Sequence, residues 1–354
     1  MREHMLLVRR LGLPALLPLL GLLAGCQHEV LNPAGDVALQ QRNLIYASTG
    51  LMLLIIVPVM ILIVVFAWRY RKGNRGATYD PDFDHSTSLE LVIWSAPLLI
   101  IIALGALTWS STHLLDPFRP LDRVAAGRPV DPNVKPLRVQ VVSLDWKWLF
   151  IYPEQGIATV NELALPVDRP VRFDITSTNM MNTFYAPTLA GMVYAMPGMQ
   201  STLHAVLNRE GTFDGMSANY SGAGFSDMHF KLYGVPPAAF DAWVARVKSS
   251  GKSLDTNNFL ILEKPTEKVP AMYFAGVDPT LFNRIYNRCV KPGTPCMSDM
   301  MRHAQQGGHD RPRTDEAKPD GALFKQGEEK GSGESLTPPP GAQGSPAPHS
   351  HQER

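Results

Sequence analysis

Two long apolar runs constrain this chain more than any other feature. Leu44 to Trp68 and Leu91 to Leu115 contain no Asp, Glu, Lys or Arg. Each exceeds the ~20 residues that an α-helix needs to cross a bilayer. The sequence therefore predicts a hairpin of two transmembrane helices, over 44–68 and 91–111. Trp68, Trp94 and Trp109 lie near the ends of the runs, where indole rings favour the headgroup region. Pro58 and Pro97 are tolerated in lipid when neighbouring helices satisfy the carbonyls they free. The connecting loop, 69–90, carries Arg69, Arg71, Lys72 and Arg75, which the positive-inside rule places in the cytoplasm. Residues 26–43 and everything after about 112 then lie outside, in the periplasm.

The N-terminus agrees with that topology. Arg2, Arg9 and Arg10 precede the apolar stretch LGLPALLPLLGLLAG, and the order Leu23-Ala24-Gly25-Cys26 follows. This resembles a bacterial lipoprotein signal: positive charge stays inside, a short apolar segment inserts, and small residues admit a peptidase. It implies a leader over 1–25 and lipidation of Cys26, now the mature N-terminus. An ordinary leader, or a short anchor helix with an incidental Cys, is the alternative.

Beyond residue 125 the chemistry is that of a folded periplasmic domain. Val139 and Val141 alternate with Arg138 and Gln140, and Val171, Phe173 and Ile175 alternate with Arg172, Asp174 and Thr176, the period of half-buried strands. Thr202–Leu207 and Met228–Val235 are similar short runs. Gly and Pro punctuate them, which favours an all-β sandwich or barrel over 125–235. In 236–300, aromatic-rich and predicted helical, Phe240, Trp243, Val244 and Val247 form one helix face. A second helix starts at Asp278-Pro279, with Leu281, Phe282 and Ile285 inward. Cys289 and Cys296, with six residues between them, stand in an oxidising compartment, which admits a disulfide or two free thiols. From about His303 large apolar residues are few, so a disordered tail is expected over 301–354, with His309, His349 and His351 solvated.

Composition closes off other classes. Thirty-three Lys and Arg against 32 Asp and Glu leave a formal charge of +1, which removes the electrostatic case for nucleic acid. No nucleophile, catalytic base or phosphate loop stands out in the soluble part, so no catalytic residue is assigned. His204 and His229 lie in predicted strands and read as core or exposed histidines. Met180, Met181, Met192, Met196 and Met199 could bind Cu(I) through thioethers, but loop packing is the reading preferred here.

Three segments carry a family resemblance. Trp146-Lys147-Trp148 matches a Trp-x-Trp strand. Thr176-Ser177-Thr178, Asn182-Thr183-Phe184-Tyr185-Ala186-Pro187 and Met196-Pro197-Gly198 resemble a loop reading T-S-x-D-V-x-H-S-F-x-x-P followed by x-P-G. GMSANYSGAGFSDM, from Gly215 to Met228, resembles the metal loop G-x-C-S-E-x-C-G-x-x-H-x-x-M. With two preceding helices, the chain is similar to subunit II of haem–copper terminal oxidases, which implies a cupredoxin-like sandwich. At the positions where that family holds dinuclear copper stand Asn182, Ser217, Asn219, Ser221 and Phe225, and only Met228 is retained. Two bridging thiolates and terminal imidazoles are missing, so no metal site is expected.

That loss resembles the copper-less, cytochrome bo-type ubiquinol oxidase branch. The branch implies quinol oxidation coupled to reduction of oxygen to water and to proton translocation. It also implies haem b, haem o and Cu-B in subunit I, partner subunits III and IV, and no cofactor in this noncatalytic chain at the inner membrane. A glutamate matching Glu90, before Trp94 and Pro97, lies at the mouth of the K-type proton channel in the family; an interfacial carboxylate marking the helix start is the alternative. Two rival functions remain: a membrane-tethered periplasmic copper carrier, which would be isolated without a haem protein, and a cytochrome c oxidase subunit II with degenerate ligands, which reduced cytochrome c would reveal.

Overall fold

A computed structural model describes residues 29–74, 76 and 83–307. The leader, Cys26, Arg75 and the tail histidines lie outside them. Helices α1 (Asp36–Arg69) and α2 (Thr87–Leu114) carry the two apolar runs. Both exceed the spans expected from composition. α1 starts eight residues before Leu44 because Asp36, Val37 and Ala38 are buried against the soluble domain, where packing rather than lipid stabilises the turn. The preceding Gly35 is held by its N–H, which donates to the Thr188 carbonyl at 2.9 Å. A Cβ there would stand 2.5 Å from the Val206 carbonyl oxygen, so only glycine admits this approach.

A small ribbon, β1 (Arg123–Ala125) and β2 (Arg128–Pro129), leads into the sandwich. Its strands are β3 (Leu137–Leu144), β4 (Lys147–Tyr152), β5 (Ile157–Val160), β6 (Glu162–Pro166), β7 (Pro170–Ser177), β8 (Asn182–Tyr185), β9 (Val193–Ala195), β10 (Ser201–Val206), β11 (Gly211–Ser217) and β12 (His229–Val235). α3 (Pro237–Lys248), β13 (Ser253–Leu254), α4 (Thr256–Leu262), β14 (Met272–Phe274), β15 (Gly276–Val277), α5 (Leu281–Tyr286) and α6 (Met297–Gly307) follow. One sheet has the order β10-β7-β3-β4-β5-β14 and the other β6-β12-β11-β8-β9.

The inner faces meet in an aromatic core. Phe184 stacks on Phe230 with centroids 5.4 Å apart, and Trp148 meets both rings edge-on. Phe240 and Trp243 of α3 close one end against Tyr152; Val247 is buried and Val244 half-buried. The outer face of β3, β4 and β5 is covered too. Val142, Leu149 and Ile151 pack with Phe259, Leu281, Phe282 and Ile285. Two covered faces explain why Leu149-Phe150-Ile151-Tyr152 is apolar without alternation.

Three expectations from the sequence need correction. The segment 236–300 is not a purely helical appendage: β14 pairs antiparallel with β5 and completes the first sheet. Asp278 does not cap α5 directly; its Oδ1 accepts from the Thr280 N–H at 2.8 Å, and the helix begins at Leu281. The tail does not begin at 301, since α6 continues to Gly307. Its start is tethered by the Met297 N–H, which donates to the Asn287 carbonyl at 2.9 Å, and an Arg302–Asp299 pair supports the next turn.

Candidate functional site

The resemblance singles out one end of the sandwich, where β8 and β11 run side by side and the loop after Ser217 returns to β12. Asn182 starts β8 and Ser217 ends β11; both are buried. The Ser217 hydroxyl donates to Asn182 Oδ1 at 3.1 Å, and Asn182 Nδ2 donates to the Met180 carbonyl at 3.3 Å. Met228 is only 1% exposed, and its carbonyl accepts from the Ser217 N–H at 3.1 Å. Ser221 is buried as well, and its hydroxyl has no partner among the described residues. Asn219 points elsewhere, its Nδ2 donating to the Met181 carbonyl at 2.9 Å. Phe225 lies edge-on to the exposed Tyr220, 5.6 Å between centroids.

These groups do not fit copper. Two hydroxyls, two amides, a phenyl ring and one thioether lack the anionic sulfur and imidazole nitrogen that hold a dinuclear centre. Two of them satisfy each other instead. Among the described residues, no three His, Cys, Asp or Glu side chains converge.

The Trp-x-Trp segment is divided between turn and strand. Trp148 is fully buried in β4. Trp146 sits in the β3–β4 turn with left-handed backbone, φ 64°, rather than in a strand. Its Nε1 donates to the Ser221 carbonyl at 3.0 Å, and its ring covers Gly222 and Gly224. A side chain at Gly224 would collide with the indole, so the glycine is what lets Trp146 lie on the loop. Lys147 is buried, and its ammonium donates to the carbonyls of Asp145 (3.2 Å) and Lys264 (2.8 Å) and to Thr266 Oγ1 (2.7 Å).

At the other end of α2, Glu90 lies in the first turn. His85 Nδ1 is 2.7 Å from Glu90 Oε1, and His85 Nε2 is 3.2 Å from Thr87 Oγ1. Composition and periodicity gave no sign of His85, because the contact is made where the chain turns into the helix. Cys289 and Cys296 are joined by a disulfide, with Cα atoms 4.8 Å apart. His204 is half-buried and His229 exposed. Of the five methionines expected to pack in loops, Met196 is half-buried, whereas Met180, Met181, Met192 and Met199 are exposed on loops flanking β8 and β9.

Comparison with known proteins places the chain. Residues 153–235 match the family model for the cytochrome c oxidase subunit II periplasmic domain, and residues 248–293 match the COX aromatic-rich motif. The chain is 51% identical to the cytochrome bo(3) ubiquinol oxidase subunit 2 of Pseudomonas putida, over 77% of this chain and 85% of the relative. This chain belongs to the ubiquinol oxidase subunit 2 family. The ubiquinol oxidase subunit 2 of Acetobacter aceti is 49% identical, covering 75% of this chain and 83% of that one. Among solved structures, the periplasmic domain of cytochrome oxidase subunit II from Bradyrhizobium japonicum aligns at 20% identity and a TM-score of 0.32, over 34% of this chain and 99% of that one. As a ubiquinol oxidase subunit 2, the chain is part of a haem–copper oxidase, an oxidoreductase complex of the inner membrane. The aromatic-rich motif of this family covers α4 and α5, the helices that shield the outer sheet face, and β14, the strand that joins that sheet.

Proposed function

We propose that this chain is the noncatalytic, copper-free subunit of a proton-pumping ubiquinol oxidase, with a structural and assembly role. The Ser217–Asn182 hydrogen bond carries the reading, because it joins two positions where copper-bearing relatives have a thiolate and an imidazole. Without that centre electrons enter from membrane quinol, and haem b, haem o and Cu-B belong to subunit I, with subunits III and IV as further partners. Cys26 is the lipidation site that anchors the N-terminus.

Glu90, at the cytoplasmic start of α2, is the entrance of the K-type proton channel. A carboxylate at the edge of the hydrocarbon is costly and is retained where it faces water or protein. The purified complex is the test. It should oxidise ubiquinol but not reduced cytochrome c, and copper added to the periplasmic domain should give no purple thiolate-to-copper absorption; a stoichiometric purple species overturns the copper-free reading. Glu90→Ala should slow turnover with haem content retained. Unchanged turnover and pumping discard the channel assignment.

A further inference from the structure

The outer face of the six-stranded sheet carries a pair of arginines, flanked by a histidine, that the oxidase reading leaves unused. Arg138 on β3 is in register with Arg172 on β7, which is in register with His204 on β10. Asp174, fully buried, accepts from Arg138 Nε at 2.5 Å, Arg172 Nε at 3.0 Å and Gln200 Nε2 at 3.2 Å. One carboxylate thus aligns two guanidinium groups and leaves an excess of one positive charge. Each arginine uses only its Nε in this way, and the terminal Nη groups of both find no acceptor among the described residues. Both side chains are 46% exposed.

Beside them lies a groove of about 550 Å³, walled by Leu121, Val130, Pro136 and Pro170 and also lined by Lys135 and Glu154. Lys135 and Glu154 are paired at 2.8 Å, so the guanidinium forks are the charge this groove offers a ligand. An anion with an apolar neighbour suits both halves. The place is close to the membrane. The His204 N–H donates to the Pro117 carbonyl at 3.0 Å, which lays the segment leaving α2 along β10, and the first turn of α1 packs on the same strand. Gln40 and Gln41 of α1 line one cleft with His204, and Gln41 stands only ~5 Å along the helix from Leu44, where the charge-free run begins, within the ~5–8 Å that headgroups add on each side of the hydrocarbon.

We propose that Arg138 and Arg172 hold the phosphate of an anionic phospholipid of the periplasmic leaflet, with its glycerol and first acyl carbons against the proline-lined wall. Paired Nη groups suit phosphate oxygens through charge-assisted, two-point hydrogen bonds. The test uses the delipidated oxidase complex, titrated with dihexanoyl phosphatidylglycerol, dihexanoyl phosphatidylcholine or inorganic phosphate, with bound molecules counted by native mass spectrometry. One phosphatidylglycerol per complex should be held at this site, weakened at least tenfold by Arg138→Gln or Arg172→Gln and not displaced by millimolar phosphate. Either variant strips a partner from buried Asp174, so the triple variant R138Q/R172Q/D174N, which keeps hydrogen-bonding shape without charge, provides the control. It should lose the same lipid while the haem spectrum is retained. Equal counts for wild type and triple variant, equal binding of phosphatidylcholine, or displacement by inorganic phosphate would each overturn the proposal.

Discussion

The ammonium of Lys147 lies 2.8 Å from the main-chain carbonyl of Lys264, 117 residues further along the chain. That bond and the one to Thr266 Oγ1 fasten the segment after α4 to the β3–β4 turn. Lys147→Met should destabilise the periplasmic domain by about 2 kcal/mol, since buried acceptors lose their donor. Burial lowers the Lys147 pKa, with Asp145 opposing. The unfolded chain keeps that proton up to ~10.4, so in the window just below this value it binds more protons than the folded state. Stability should therefore rise with pH there, and thermal melts of Lys147→Met should lack that rise.

Glu162 is a buried carboxylate held by two neutral donors, Trp243 Nε1 at 2.8 Å and Tyr273 O–H at 2.7 Å. Burial, then the bond to Glu162, pushes the Tyr273 pKa up to about 12. Between ~10 and that value the folded protein keeps a proton that the unfolded chain has lost, so stability should fall as pH rises. Glu162→Gln should bring the Tyr273 titration, followed by ultraviolet absorbance, back toward ~10. Glu162→Leu should cost about 3 kcal/mol, because both donors are stranded.

His204 points the other way in pH. Burial lowers its pKa, assisted by Arg172 and opposed by the Pro117 carbonyl and Asp174. Below ~6.5 the unfolded chain takes up a proton that the folded state refuses, so stability should decline as pH falls from there toward the lowered value. Melting midpoints across that window should drop less for His204→Asn than for wild type.

Gly35, just before α1, lies where a side chain would crowd the sandwich backbone. In Gly35→Val the new side chain meets the carbonyl oxygens of Val206 and Leu189 at 2.5 and 2.8 Å. The expected loss is about 1–3 kcal/mol, read as a lower melting midpoint, with helix content preserved because α1 continues into lipid.

Much of this was legible before any coordinates. The uncharged runs determined two membrane helices, since a backbone in hydrocarbon must satisfy its own hydrogen bonds. Alternation at Val139, Val141, Phe173 and Ile175 determined strands, and the order of Gly215–Met228 put Ser217 and Ser221 where the resembled metal loop has cysteines. All of these are properties of neighbours in the chain. Tertiary structure alone decided that β14 joins the first sheet, that Ser217 pairs with Asn182, that Lys147 clamps the segment after α4 and that Asp174 aligns two arginines. Periodicity states which face a residue presents, but not which distant strand or carbonyl will meet it. That meeting is settled by the packing of whole sheets, in which buried polar groups must find partners wherever the chain happens to return.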